Sequence, residues 1–131
     1  MNTSCSLVAC LFLTTSCTFT CQEVRNTYFL GKKCNVVIKR NTSAPRNIDV
    51  AGYNPLTGQV ETYQAGGGIY IELIKAIALN DTLWKESTSD FFLLKKKGIT
   101  LKFGLQCSAN KEFAGVSQDT LSKSVSANDM R

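Results

Sequence analysis

The residues best suited to chemistry in this sequence are its cations. Between Val24 and Ile48 the chain carries no acidic residue and six basic ones. Five of the six form a candidate binding set: Lys32, Lys33, Lys39, Arg40 and Arg46. Charge of one sign along a strand and its loops is typical of a surface that binds phosphate groups. The alternative is a solvated basic face that binds nothing, since isolated surface charge is common.

A second group of cations, Lys95, Lys96 and Lys97, precedes Gly98. Ser89 and Asp90 stand before the apolar run Phe-Phe-Leu-Leu, and such a pair favours the start of a helix. The lysines would then fill the last turn of that helix, where cations are stabilised, with Gly98 just beyond its end. We expect these lysines to cap a helix and also to be able to contact phosphate.

The residue types give little support to catalysis or cofactor binding. The chain has no histidine, which removes the usual general base and the commonest metal ligand. The glycines at 66–68 lack the spacing of a phosphate-cradling loop and no Lys-Ser/Thr pair follows them. We therefore expect no enzyme, no cofactor and no small-molecule substrate.

The chain has six cysteines, whose number favours a disulfide framework and whose positions argue against one. An even number in a short chain is typical of a disulfide framework. Four of them precede residue 22, however, and only Cys34 and Cys107 lie in the expected core. The chain has no Cys-x-x-Cys pair, so we do not expect a zinc ribbon.

The apolar pattern predicts the elements that must position these side chains. Alternating or short apolar runs predict strands in CNVVIKR, NIDVAGY, QVETY and ITLKFGLQC. Apolar residues at helical spacing predict a buried helix in IYIELIKAIALN, and the run after Asp90 predicts a second helix. Pro55 and Gly58 favour a turn between the second and third strands. The length of 131 residues fits one domain with tails.

These pieces, in this order, resemble the bacterial-type small-subunit ribosomal protein sixteen (S-sixteen) family. LGKKC resembles its first basic loop, and NVVIKRNTSAPR resembles its strand and second basic loop. VAGYNPLTGQ resembles its turn, which makes Gly52, Tyr53, Asn54 and Pro55 the landmark residues. IYIELIKAIAL stands where the family has its first helix, and SDFFLLKKKGI resembles its close. The resemblance covers roughly residues 24–99.

The resemblance implies an α+β fold, with a small mixed sheet flanked by two helices and with N- and C-terminal extensions. Residues 1–23 would be an extension or targeting segment, 24–106 the ribosomal-protein-like domain, and 107–131 a polar tail. The implied function is structural: the two groups of cations would neutralise phosphates of the small-subunit rRNA. The extensions would contact neighbouring ribosomal proteins, and no membrane would be involved.

Departures from the family pattern point to a divergent member. The first loop lacks the Pro-aromatic-Tyr-Arg run, the second basic loop is short, and NDTLWKES replaces Gly-Ala-x-Pro. Divergence with extensions implies a mitochondrial protein, and a plastid is the alternative organelle. Some mitochondrial relatives offer a loop cysteine to a shared metal or iron–sulfur site. Here that residue would be Cys34, and a reduced thiol is the simpler interpretation.

The alternative from another class is a secreted, cysteine-containing, β-rich binding module. Its support is the apolar run at residues 7–13, too short to span a bilayer, together with the even number of cysteines. Sequons at Asn2, Asn41 and Asn80 add weak support. This alternative predicts a Cys34–Cys107 disulfide and removal of about 20 N-terminal residues.

Overall fold

Seven antiparallel strands form one sheet within residues 19–118, the part of the chain that the computed structural model describes. Their order across the sheet is β3-β2-β1-β4-β5-β6-β7. The bounds are β1 Cys34–Asn41, β2 Ile48–Tyr53, β3 Val60–Ala65, β4 Thr82–Lys85, β5 Phe91–Lys96, β6 Ile99–Cys107 and β7 Phe113–Gln118.

Two short helical segments accompany the sheet. Helix α1 (Cys21–Val24) begins after Thr20, whose hydroxyl accepts a hydrogen bond from the Glu23 amide at 3.1 Å. It continues into a π-helical turn at Arg25–Phe29. Helix α2 (Ile71–Ala76) lies in the connection from the edge strand β3 to β4 and contacts β7. No helix within residues 19–118 is long and apolar enough to cross a membrane.

Alternation of apolar residues along the strands builds one buried face. Val36 lies opposite Leu83, Leu83 opposite Leu94, and Leu94 opposite Leu101, so four neighbouring strands contribute to a single apolar row. In β1 the buried and part-buried positions alternate, as a strand covered on one face requires. Burial of this row against the helical segments provides the main driving force for the fold.

An aromatic cluster shows that the sheet is strongly curved. The rings of Tyr63 on β3 and Phe92 on β5 lie 5.7 Å apart at their centroids, although three strands separate β3 from β5. Strands are spaced about 4.8 Å apart, so the sheet curls to bring these rings together. Phe29 and Tyr70, from the helical side, pack edge-on against Phe92 at 5.8 Å each.

The predicted α+β fold is wrong. The sheet is antiparallel throughout the described residues, not mixed, and the short helical segments there do not form the two flanking helices that were predicted. Of the two predicted helices, the first exists only as the six-residue α2. The second is strand β5, and the structure of that segment explains the error.

Strand β5 is apolar on both of its faces. Phe92 and Leu94 point into the core, and Leu93, on the opposite face, is also buried. A continuous apolar run of this kind lacks the alternation that marks a half-buried strand. Lys96 pairs with Ile99, so Lys97 and Gly98 form a two-residue hairpin turn, and Gly98 has φ +80°. Its left-handed conformation therefore closes a β-hairpin instead of ending a helix.

The four strands predicted from the sequence are confirmed as β1, β2, β3 and β6. Strand β4 lies inside NDTLWKES, and β7 lies in the segment predicted as the C-terminal tail. The apolar run at 7–13, the sequon at Asn2, and Cys5, Cys10 and Cys17 lie outside the described residues.

Candidate functional site

Six of the eight predicted binding residues lie at one end of the sheet. They are Lys39 and Arg40 near the end of β1, Arg46 in the β1–β2 loop, and Lys95, Lys96 and Lys97 at the end of β5. The antiparallel register places the end of β1 beside the starts of β2 and β4, and the end of β5 beside the starts of β4 and β6. We call residues 39–49, 66–82 and 94–100 the basic end.

The basic end holds most of the excess positive charge. It contains seven cations and three carboxylates, whereas the rest of residues 19–118 contains six cations and five carboxylates. Charge of one sign gathered on one part of a surface raises the local concentration of counter-ions and speeds their capture.

Two cations of the basic end are engaged with the turn before β4. Lys96 Nζ lies 2.5 Å from Asp81 Oδ2, and the same carboxylate oxygen accepts the Ala78 amide at 2.8 Å. Lys39 Nζ donates to Asn80 Oδ1 at 2.6 Å and lies 5.9 Å from the centroid of the Tyr53 ring. These contacts hold the turn in place.

The remaining predicted cations of the basic end are open to solvent. Arg40, Arg46, Lys95 and Lys97 are exposed and form no ion pair with any residue of the described chain. Their charge is therefore available to a ligand.

Lys32 and Lys33 do not join this surface. They precede β1 and so lie at the opposite end of the sheet, where both side chains are exposed. The Lys32 carbonyl oxygen accepts a hydrogen bond from Lys85 Nζ at 3.0 Å, so Lys32 contributes to the fold through its backbone.

A solvent-open cleft of about 470 Å³ lies at the basic end. Its lining residues are Asn47, Ile48, Asp49, Gln64, Ala65 and Gly66. Asp49 on β2 pairs with Gln64 on β3, and Gln64 Nε2 donates to Asp49 Oδ1 at 3.2 Å. The sequence does not reveal this cleft, because its two sides are 15 positions apart and meet only through the β2–β3 register.

The interior of the described structure contains a cation, Lys85, that the sequence did not single out. Its side chain is buried, and its Nζ donates to the carbonyl oxygens of Phe29 (2.7 Å), Lys32 (3.0 Å) and Glu86 (2.8 Å). The ammonium also lies 5.7 Å from the Phe29 ring and 6.0 Å from the Phe92 ring. Burial lowers the pKa of Lys85. Three carbonyl acceptors match the three N–H donors of an ammonium. Because Phe29 and Lys32 follow α1 in the chain, this lysine joins that segment to the sheet.

Cys34, the candidate shared metal ligand, lies on β1 and is paired with Lys85 on the neighbouring strand β4. It is a free, buried thiol, and burial together with the nearby Glu61 carboxylate raises its pKa to about 12. The thiolate is the form that binds metals and attacks electrophiles, and Cys34 does not adopt it near neutral pH. Residues 19–118 contain no group of three or more His, Cys, Asp or Glu arranged to hold a metal ion.

Two tyrosines complete the polar part of the interior. The Tyr70 hydroxyl donates to the Tyr28 carbonyl oxygen at 3.2 Å, and the Tyr63 hydroxyl is buried. Burial raises the pKa of both phenols, that of Tyr70 to about 12. Both hydroxyls are therefore protonated at neutral pH.

A disulfide joins Cys21, at the start of α1, to Cys107, at the end of β6. Their Cα atoms are 5.9 Å apart and the two residues are 86 positions apart in the sequence. The predicted Cys34–Cys107 pairing is therefore wrong, although Cys107 does form a disulfide. The bond attaches the α1 segment to the sheet.

The landmark turn has a structural explanation. The β1–β2 register shifts by one residue between Ile38 and Arg40, and a Cβ at Gly52 would collide there with the Val37 carbonyl oxygen. Beyond it, Asn54 Oδ1 accepts the Leu56 amide at 2.8 Å, and the Asn54 carbonyl accepts the Gly58 amide at 2.7 Å. The residues that resemble a family signature are thus those that a bulged hairpin needs.

Comparisons of this chain with family models, with curated proteins and with solved structures find no match. The side chains of the basic end can form contacts of two kinds. Exposed guanidinium and ammonium groups attract anions, and the amide and carboxylate groups of the cleft exchange hydrogen bonds.

Proposed function

We propose that this chain is a non-enzymatic β-rich binding module of an oxidising compartment, and that it holds an anionic polymer at its basic end. The observation that carries the proposal is the gathering of exposed cations there, four of which form no ion pair within the described residues. A rigid antiparallel sheet presents these groups at fixed strand ends. A polymer that spans them releases its condensed counter-ions, which favours binding.

The disulfide supports an oxidising compartment. Disulfides persist in secreted and extracellular proteins and are rare where glutathione keeps thiols reduced. The Cys21–Cys107 bond closes a large loop around the core, as expected of a structural disulfide. Disulfide and β-rich fold together favour the secreted binding module.

Binding to small-subunit rRNA and a mitochondrial location stay predictions. The fold that the resemblance to ribosomal protein sixteen implies differs from the antiparallel sheet, so the sheet gives these predictions no support. Sedimentation of an organelle lysate with a C-terminally tagged chain, with magnesium present and then chelated, tests them directly. Co-migration with the small ribosomal subunit in both conditions would establish the ribosomal role and overturn our proposal.

The proposal itself is tested by salt-dependent binding of the full chain to heparin and to single-stranded RNA. We expect the variant Arg40→Ala/Lys95→Ala/Lys97→Ala to bind more weakly, with a salt slope reduced by about 0.7–0.9 for each cation removed from the contact. The matched control is Lys32→Ala/Lys33→Ala at the other end of the sheet, which should bind as the wild type does. Equal losses in both variants would mean that no particular end of the sheet binds.

A further inference from the structure

We infer that the anionic polymer is a sulfated polysaccharide, and that the cleft beside Arg46 binds the hydroxyl groups of one of its sugar units. This inference rests on the proposed function and adds the class of ligand. It is carried by the position of a neutral and acidic hydrogen-bonding cleft at the same end of the sheet as the exposed cations.

The polar groups of the cleft suit neighbouring hydroxyls. The Asp49 carboxylate accepts hydrogen bonds from O–H groups, and the amides of Asn47 and Gln64 both donate and accept. The hydrogen bond from Gln64 Nε2 fixes the orientation of the Asp49 carboxylate and leaves its other oxygen for a ligand. A planar carboxylate beside planar amides offers two-point contacts to adjacent hydroxyls, which a uniform patch of cations does not.

The floor of the cleft depends on Gly66. A Cβ at this position would lie 2.9 Å from Asn47 Oδ1, so any larger residue would displace the Asn47 side chain. The volume of about 470 Å³ is within the range of small-ligand clefts.

Arg46 supplies a cation at the rim. It directly precedes Asn47, and its guanidinium lies along the backbone of Gly68, where a Cβ would come within 2.6 Å of a guanidinium nitrogen. The Gly68 amide donates to the Arg46 carbonyl at 3.2 Å, which ties the two loops together. A guanidinium held in this way can form paired hydrogen bonds with a sulfate group on a sugar whose hydroxyls enter the cleft.

A nucleic acid fits this arrangement less well. Single-stranded nucleic acids are usually held by exposed aromatic rings on which bases stack. Within the described residues of the basic end the aromatic side chain is Tyr70, which is buried. The nearby Tyr53 ring is at the surface, but the Lys39 ammonium lies over it.

The test compares a heparin-derived oligosaccharide with a single-stranded RNA of similar charge, by calorimetric titration of the full chain. We expect Asp49→Asn to weaken oligosaccharide binding roughly tenfold, because it removes a charged acceptor of hydroxyl hydrogen bonds. The same variant should leave RNA binding unchanged or strengthen it, because for RNA the loss of a negative charge is not offset by the loss of a hydrogen bond to a sugar hydroxyl in the cleft. Gln64→Ala should weaken oligosaccharide binding in the same direction, and Thr62→Ala, on an exposed neighbour in β3, should not.

The outcomes separate the two proposals. Weaker oligosaccharide binding together with unchanged or stronger RNA binding in Asp49→Asn supports the inference. If both ligands respond alike to the cleft variants, while Arg40→Ala/Lys95→Ala/Lys97→Ala still loses binding, the cleft inference is overturned and the basic end stands. If the wild-type chain binds neither polymer, the proposed function itself fails.

Discussion

Lys85 and the lysines of the basic end have the same type of side chain but different roles. Lys85 is 2 % exposed, and backbone carbonyl oxygens accept all three of its N–H donors. Lys95 and Lys97 are exposed and form no ion pair with described residues. The first is part of the fold, and the others leave their charge to a ligand. Partners and burial, and not residue type, decide what a cation does.

The interior cation also depends on a segment from outside the sheet. Two of its three acceptors, the carbonyls of Phe29 and Lys32, belong to the segment that follows α1. The disulfide attaches the start of that helix to β6. Displacement of this segment would therefore weaken the site of Lys85, whereas the predicted cations of the basic end lie on strand ends and their loops.

The largest effect is expected from removing the disulfide. We expect Cys21→Ala/Cys107→Ala to lower the free energy of unfolding by about 4 kcal/mol, because the lost loop is long. Urea unfolding of the variant and of the wild type measures this. The stability of the variant should also respond less to reductant than that of the wild type. An unchanged midpoint would show that the α1 segment stays in place without the bond.

The next effect is the loss of the buried ammonium. Lys85→Met should lower the free energy of unfolding by about 3 kcal/mol, since it leaves three carbonyl oxygens without their donor. Lys95→Met, on an exposed position of β5, is the matched control and should change stability by less than about 0.5 kcal/mol. Equal costs in urea unfolding would abolish the distinction between the two regions.

Cys34, the neighbour of Lys85, makes the stability of the fold depend on pH in alkaline solution. The folded pKa of Cys34 is about 12 against 9.0 for an ordinary thiol, so the folded state keeps a proton that the unfolded state releases. This stabilisation is complete below pH 9 and is lost as the pH rises towards 12, by about 1.4 kcal/mol for each pH unit.

Thermal unfolding at a series of pH values above 9 checks this prediction. Cys34→Ala should show a shallower loss of stability, with the remainder due to the tyrosines, whose pKa values are also raised by burial. Identical slopes in the two proteins would mean that the thiol is not protected in the folded state.

The smallest effect separates two lysines within the basic end. Lys96→Ala removes the partner of the buried Asp81 and should lower stability by about 1 kcal/mol, whereas Lys95→Ala should be nearly neutral. Heparin binding should show a reduced salt slope in Lys95→Ala. A neutral Lys96→Ala would mean that its ion pair adds nothing to the turn before β4.

Local elements that follow a single hydrophobic period could be predicted from the sequence. Strands β1, β2, β3 and β6 were predictable because alternation of apolar residues is a property of neighbouring positions. The turn at Asn54 was predictable for the same reason, since its hydrogen bonds join residues two to four positions apart. The cations of the basic end were also visible as residues, though not as one surface.

The other features depend on contacts between distant parts of the chain. Strand β5 has buried apolar residues on both faces, and its Ser-Asp and Lys-Gly flanks serve a hairpin as well as a helix. Lys85 meets carbonyls up to 56 positions away, and Cys107 pairs with a residue 86 positions away. Such contacts arise when distant segments pack around one core, so no local pattern in the chain predicts them.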